Sequence, residues 1–189
     1  MDQLNQHLSH RLKQLRNQRN WSLTQAAEHT GVSKAMLGQI ERGESSPTVA
    51  TLWKIATGFN VAFSVFIDDA SEQPLSVVQR YADLPVFSQE NAEMRVVPLF
   101  PFDKQLGFDM FVIDLAPGTL SESSAHEQGV IEHVIVIEGQ LELRVDGVWH
   151  QLAAGEALRF QADRPHSYRN LSQHNVRLHD LIHYPHGVR

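Results

Sequence analysis

Ser22-Leu-Thr-Gln-Ala-Ala-Glu-His-Thr-Gly-Val-Ser-Lys-Ala-Met-Leu-Gly-Gln-Ile-Glu-Arg-Gly43 contains two short helices, one tight turn and a start signal for each helix. Ser22 with Gln25 three residues later is a capping box, which starts the first helix near Leu23. At Thr30-Gly31-Val32 a glycine breaks that helix and supplies the left-handed backbone a sharp turn needs. Ser33 caps the second helix, whose buried side carries Leu37 and Ile40, three apart on one face. Lys34, Ala35 and Gln39 point the other way.

This is how a helix-turn-helix places a reading helix in the DNA major groove. The segment resembles the helix-turn-helix of the XRE (phage repressor/Cro-like) family of bacterial regulators. The resemblance runs from about Leu12 to Phe66 and includes Leu15, Arg16, Trp21, Gly31, Ser33, Ile40, Glu41, Gly43 and Pro47. The Gly-Val-Ser turn, the Ile-Glu-Arg-Gly helix end and the Ser-Pro-Thr restart occur together at the family's spacing. The resemblance implies that the motif spans Leu23 to Arg42, with Ser33, Lys34, Ala35 and Gln39 facing bases. It makes Ser22, Arg42, Ser45 and Thr48 phosphate contacts, and it pairs Arg16 with Glu41 inside the head. Leu23 stands where many members carry Gln, and Ala35 where many carry a longer polar residue; both reduce the implied DNA contacts. Ser33-Lys-Ala-Met-Leu-Gly-Gln-Ile-Glu-Arg-Gly43 and Thr51-Leu-Trp-Lys-Ile55 are also similar to the sulfur-utilisation branch of the family.

Outward from the motif, Leu4, Leu8, Leu12 and Leu15 recur at helical spacing and predict a preceding helix. Ser46-Pro47, a cap with proline at the first helical position, predicts a fourth helix with Leu52, Ile55, Ala56 and Phe59 buried and Gly58 and Asn60 ending it. Ala62-Phe-Ser-Val-Phe-Ile67 predicts a short fifth. The expectation is an all-α five-helix head over residues 1–67, followed by a polar linker at 68–75. The head holds seven Lys/Arg against four Asp/Glu, and residues 68–189 hold nine against eighteen. The net charge of −6 thus conceals a basic head on an acidic body, as suits a module that meets DNA at one end. One head carries too little charge for tight DNA binding alone, since phosphate neutralisation supplies most non-specific affinity; two heads on a dimer would supply it.

Hydrophobic content of 42% argues for a globular chain throughout. The absence of cysteine excludes disulfides, a thiol nucleophile and thiolate metal sites. Met1-Asp2-Gln3-Leu4-Asn5 lacks the features of a signal peptide, and runs such as Val134-Ile-Val-Ile137 are too short to span a bilayer. A cytoplasmic location is expected.

Beyond Pro74 the apolar period changes from 3.6 to 2. Met94–Phe100, Phe108–Leu115, Glu132–Ile137, Gln140–Val145, Ala157–Phe160 and Val176–Ile182 read as strands between Gly-containing turns, the pattern of an antiparallel sandwich or barrel. Ala116-Pro-Gly118, His126, Glu132, Glu138-Gly139, Gly155, Pro165-His166 and Asn170 resemble the cupin family, an all-β jelly roll or double-stranded β-helix. The resemblance covers about residues 105–183 of a domain expected over 76–189, and Ile137-Glu-Gly139 and Pro165-His166-Ser-Tyr168 carry most of it. Cupin enzymes usually present His-x-His, a Glu and a later His to a divalent metal; the matching positions here hold His126, Gln128, Glu132 and His166.

Residues 126 and 128 share a face if that stretch is extended. Two imidazoles and a carboxylate suit Fe, Mn, Ni or Zn, whereas the Gln128 amide is a weaker ligand. Three readings stand: a metal on His126, Glu132 and His166, a metal-free pocket for an organic ligand, and a polar mouth without a ligand. With Glu132 turned inward, His133, Ile135 and Ile137 face outward, and that apolar face needs cover from segment 76–100 or a second subunit. His7, His10, His29, His174, His179, His183 and His186 read as surface or strand residues.

These features point to a homodimeric transcription regulator without catalytic residues, whose head reads operator DNA and whose jelly roll dimerises and senses a small-molecule effector. No membrane partner is expected. The alternatives are a cupin metalloenzyme, a dioxygenase or isomerase, with an accessory helical domain, and a head that binds protein as an antitoxin does.

Overall fold

The structure is a computed structural model that describes residues 3–67, 78–88 and 93–185; the expected linker at 68–75 and His186 lie outside the described residues. Helix α1 (Gln3–Gln18) buries Leu8, Leu12 and Leu15 and packs Leu4 at their edge. Helix α2 (Leu23–Thr30) opens on the capping box: Ser22 Oγ accepts the Gln25 N–H at 3.2 Å, and Gln25 Oε1 accepts the Ser22 N–H at 2.9 Å. Gly31 ends it in the left-handed region at φ 67°. Ser33 then caps α3 (Lys34–Glu41) by accepting the Met36 N–H. Leu37 and Ile40 are fully buried.

Two expectations for the head are corrected. Helix α4 (Val49–Gly58) begins after Thr48, not at Pro47, because the Thr48 hydroxyl accepts the Thr51 N–H at 3.1 Å and takes over the cap. Ala62–Ile67 is not a fifth α-helix but a four-residue 3₁₀ turn, Phe63–Phe66. The backbone there is drawn toward the β-domain: the Ser64 N–H donates to Asp109 Oδ2, and Ser64 Oγ accepts the Phe102 N–H at 2.9 Å. The described head therefore has four α-helices. Gly58 has a packing role, since a Cβ there would lie 2.6 Å from the His29 carbonyl oxygen and from Thr30 Cα. Only glycine lets α4 close on the end of α2.

The second domain has strands β1 (Phe87–Ser88), β2 (Met94–Asp103), β3 (Phe108–Leu115), β4 (Leu120–Ser123), β5 (Ile131–Glu138), β6 (Gln140–Val145), β7 (Val148–Ala153), β8 (Ala157–Gln161), β9 (His166–Arg169) and β10 (Val176–His183). They form two antiparallel sheets, ordered β1-β2-β3-β10-β5-β8 and β4-β9-β6-β7. Alternation along β5 buries Glu132, Val134 and Val136 and leaves Ile131, His133 and Ile135 half-buried on the outer face. Tyr81 covers one end of that face, donating to Asp114 with the Arg177 guanidinium over its ring. Ile137 stays 45% exposed.

The head rests on this domain. Phe63 packs edge-on against Phe87 and Phe111, its N–H donates to the Tyr184 hydroxyl at 3.3 Å, and Trp53 of α4 stacks on Phe63. Among the described residues, no helix is long and apolar enough to cross a membrane.

Candidate functional site

The helical head presents one polar surface. Lys34, Ala35 and Gln39 are exposed on α3, Ala35 and Gln39 on the side away from the buried Leu37 and Ile40 and Lys34 on its flank, and the caps Ser22, Ser33 and Thr48 are exposed at the starts of α2, α3 and α4. Ser45 is half-buried beside Met36, with its hydroxyl 3.9 Å from the sulfur. Arg42 is also exposed, but its guanidinium is held by a bidentate bond to Glu44, both contacts at 2.7 Å. Behind this surface Arg16 binds Glu41 through two bonds, at 2.6 and 2.9 Å, and gives a third to the Trp21 carbonyl oxygen. The pair is well shielded, with side-chain exposures of 15% and 8%, so its work is internal: it ties α1 to the end of α3.

Inside the barrel, His126, Glu132 and His166 converge, each offering a ligand atom within 4.8 Å of the others, and all three are buried. His126 Nε2 lies 2.7 Å from Glu132 Oε1, close enough for the imidazole to donate to the carboxylate. His166 Nε2 stands 3.5 Å from the same oxygen without a hydrogen bond. The second oxygen, Oε2, accepts the Tyr168 hydroxyl in a very short bond. Burial alone would raise the Glu132 carboxyl, but His166 and His126 beside it and the His126 and Tyr168 hydrogen bonds outweigh that and hold it well below the usual range. Burial lowers His166 in spite of the adjacent carboxylate, which favours a neutral ring. Its Nδ1 lies 2.9 Å from the Arg164 carbonyl oxygen. A carbonyl only accepts, so neutral His166 carries its proton on Nδ1 and turns the bare Nε2 lone pair into the site.

Gln128 does not join them. Residues 127–129 form a bend and turn rather than a strand, and Gln128 is exposed. The extended geometry that would have put 126 and 128 on one face is absent.

Two family descriptions match the chain: Helix-turn-helix over residues 12–66 and Cupin domain over residues 111–182. The chain is 56% identical over 185 residues to the HTH-type transcriptional regulator SutR of Escherichia coli (strain K12), covering 98% of this chain and 99% of that one. It belongs to the HTH-type transcriptional regulators that carry a cupin domain. The HTH-type transcriptional regulator PuuR of the same organism is 27% identical over 86% of each chain. The crystal structure of an HTH_3 family transcriptional regulator from Vibrio cholerae superposes with a TM-score of 0.83 at 39% identity, covering 96% of this chain and 97% of that one.

The donor set of this cupin domain fits a first-row divalent cation. It combines two imidazoles with one carboxylate, and the buried His166 Nε2 lacks a donor to satisfy it. To ligate through Nε2, His126 would carry its proton on Nδ1 instead. Asp109 and Asp180 also point into the barrel, each with one buried oxygen lacking a hydrogen bond. Burial pushes the Asp109 carboxyl up to about 7 and Asp180 well above its ordinary value.

Sequence reasoning passed over two residues of the site. Tyr168 lies two residues beyond His166 on β9, so strand alternation puts both on one face, and that signal was available. Trp53 lies off the buried stripe of α4, yet its ring sits 4.4 Å from that of His126. An aromatic residue outside a helix's core stripe is itself a sign of a second contact.

Proposed function

We propose that this regulator binds operator DNA as a homodimer, reads base edges with Ser33, Lys34, Ala35 and Gln39, and receives a small effector or divalent cation at His126, Glu132 and His166. The observation that carries the DNA-reading part is the two-sidedness of α3: Leu37 and Ile40 are wholly buried while Ala35 and Gln39 are exposed on the opposite side and Lys34 on the flank. A short helix anchored in this way presents side chains to a groove with little freedom to rotate. Ser22, Arg42, Ser45 and Thr48 border it and supply phosphate contacts. The subunits meet on the outer face of the six-stranded sheet, where Ile131, His133, Ile135 and Ile137 form a half-covered row on β5. Such a dimer would double the charge offered to DNA and match a near-palindromic operator.

The barrel site is sensory rather than catalytic in this reading. The space beside His126, between Trp53, Thr57 and Val130, is about 10 Å³, room for a water. A bound cation would supply a fixed positive charge; His126, Glu132 and His166 would hold it, and Tyr168 would orient the carboxylate. Location in the cytoplasm follows from access to DNA.

The test is operator footprinting and titration. Gln39→Ala should cost about 1–3 kcal/mol on the operator and relax preference at one position, while Arg42→Ala should weaken operator and random DNA alike. Equal losses on both DNAs for both variants would refute the assignment of α3. A monomer in sedimentation at micromolar concentration that still protects a single half-site would refute the dimer.

A further inference from the structure

We propose that α4 of the DNA-reading head is the lid of the barrel site, closed by Trp53 on His126, so that a cation taken up by His126, Glu132 and His166 loosens the head from the barrel. The proposal rests on reading the triad as a cation site. The Trp53 and His126 rings are 4.4 Å apart with planes 32° from parallel, and Trp53 also stacks on Phe63 at 4.3 Å. One indole therefore joins a triad imidazole to the aromatic seam between head and barrel. The mouth is lined from the head by Trp53, Thr57 and Asn60 and from the barrel by His126, Glu127 and Tyr184, and only about 10 Å³ remains between them. Of the triad only His126 opens onto this space, and the Trp53 ring lies over it.

The triad is also set for hydrogen bonding rather than ligation. Two donors held about 2.0–2.2 Å from one tetrahedral cation stand about 3.3–3.6 Å apart. His166 and Glu132, at 3.5 Å, are near that spacing, whereas His126 and Glu132, at 2.7 Å, are too close. Uptake therefore moves or turns the His126 ring, whose face is in contact with Trp53. Of the head's polar attachments, Ser64 N–H to Asp109 at 3.4 Å and Phe63 N–H to Tyr184 at 3.3 Å are at the long end for hydrogen bonds, and Phe102 N–H to Ser64 Oγ at 2.9 Å is the firm one about which the head would loosen. Trp53 lies between Leu52 and Ile55, which are wholly buried in the head, so a displaced indole carries α4 and its cap Thr48 with it. The cation acts through unequal affinity for docked and loosened heads, and DNA that prefers one arrangement changes cation affinity by the same factor.

The experiment uses the full chain with Trp21→Phe and Trp149→Phe, leaving Trp53 as the sole indole, and Zn²⁺ alone as probe, with uptake followed by competition against a chromophoric chelator. Expected are a red shift of Trp53 emission and a several-fold rise in acrylamide quenching on Zn²⁺ uptake. In the otherwise unaltered chain, Trp53→Ala should take up and release Zn²⁺ about tenfold faster. Zn²⁺ uptake that leaves Trp53 emission and quenching unchanged overturns the lid while the cation reading stands. This outcome does not depend on the folding of Trp53→Ala. Failure of both the unaltered chain and Trp53→Ala to take up Zn²⁺ removes the cation reading, and the lid with it.

Discussion

Glu41 in the head and Glu132 in the barrel are both buried carboxylates beside nitrogen donors, and they are finished to different degrees. Glu41 meets a planar guanidinium that satisfies both of its oxygens, while Nη1 of Arg16 donates to the Trp21 carbonyl. Glu132 is also bonded at both oxygens, but the imidazoles around it keep unsatisfied nitrogens, Nδ1 of His126 and Nε2 of His166. A closed set of bonds holds two helices in place. An open set leaves room for chemistry to enter, at a cost in stability that a structural pair does not bear.

The largest effect should appear on the closed side. Glu41→Ala leaves Arg16 shielded and unpaired and should destabilise the protein by about 3 kcal/mol in urea melts. Replacing both partners with apolar residues should cost less than either single change. Melting unchanged by Glu41→Ala would show that the two carboxylates do not differ as described.

On the open side, Glu132→Gln keeps an acceptor for Tyr168 and removes the anion. Zn²⁺ affinity should fall by at least about a hundredfold, about 2.7 kcal/mol, in chelator competition, with a smaller change in melting. A variant that loses stability as Glu41→Ala does and binds Zn²⁺ normally would assign Glu132 to structure instead.

Gly58 tests how tightly the head is packed. Its missing Cβ faces backbone rather than a flexible side chain, so Gly58→Ala should cost about 2 kcal/mol in the same melts through overpacking. A neutral result would mean that α4 can shift away from α2.

The smallest effect concerns Asp109, a buried acid that the barrel tolerates. Burial raises it from the ordinary 3.8 to about 7. The folded state then holds a proton that the unfolded chain gives up. Its contribution is fully present below pH 3.8 and is lost as pH rises through about 7. Asp109→Asn keeps an oxygen acceptor and removes this dependence, so variant and wild type should diverge by about 1.3 kcal/mol between pH 5 and 6, with wild type falling. Parallel melting curves across that range would place the titration elsewhere.

The head was legible because its signals are local. A capping box, a left-handed glycine and a second cap each act within three residues, and the structure has all of them. The apolar strands β2, β3, β5, β6, β8 and β10 were likewise legible from their runs. Most of the four-stranded sheet was not: β4 is Leu-Ser-Glu-Ser and β9 is His-Ser-Tyr-Arg, too polar and short to announce themselves. Their strand character comes from neighbours distant in sequence. For the same reason the spacing of 126 and 128 suggests one face where the chain in fact turns, and nothing next to Trp53 announces a partner 73 residues ahead. Short-range codes fix caps, whereas a site assembled between domains leaves little trace in either segment alone.

The fork between Arg42 and Glu44 alters how salt should bear on DNA binding. An arginine free in water releases counterions from DNA when it meets a phosphate, and each such contact steepens the decline of affinity with salt. Arg42 already carries its own anion, a carboxylate two residues away in the same chain. In the phosphate role proposed for it, Arg42 exchanges one internal partner for another, and the liberated Glu44 remains beside the negatively charged duplex. The salt slope should therefore underestimate the number of phosphates touched, and removing Glu44 should strengthen binding to every DNA sequence alike.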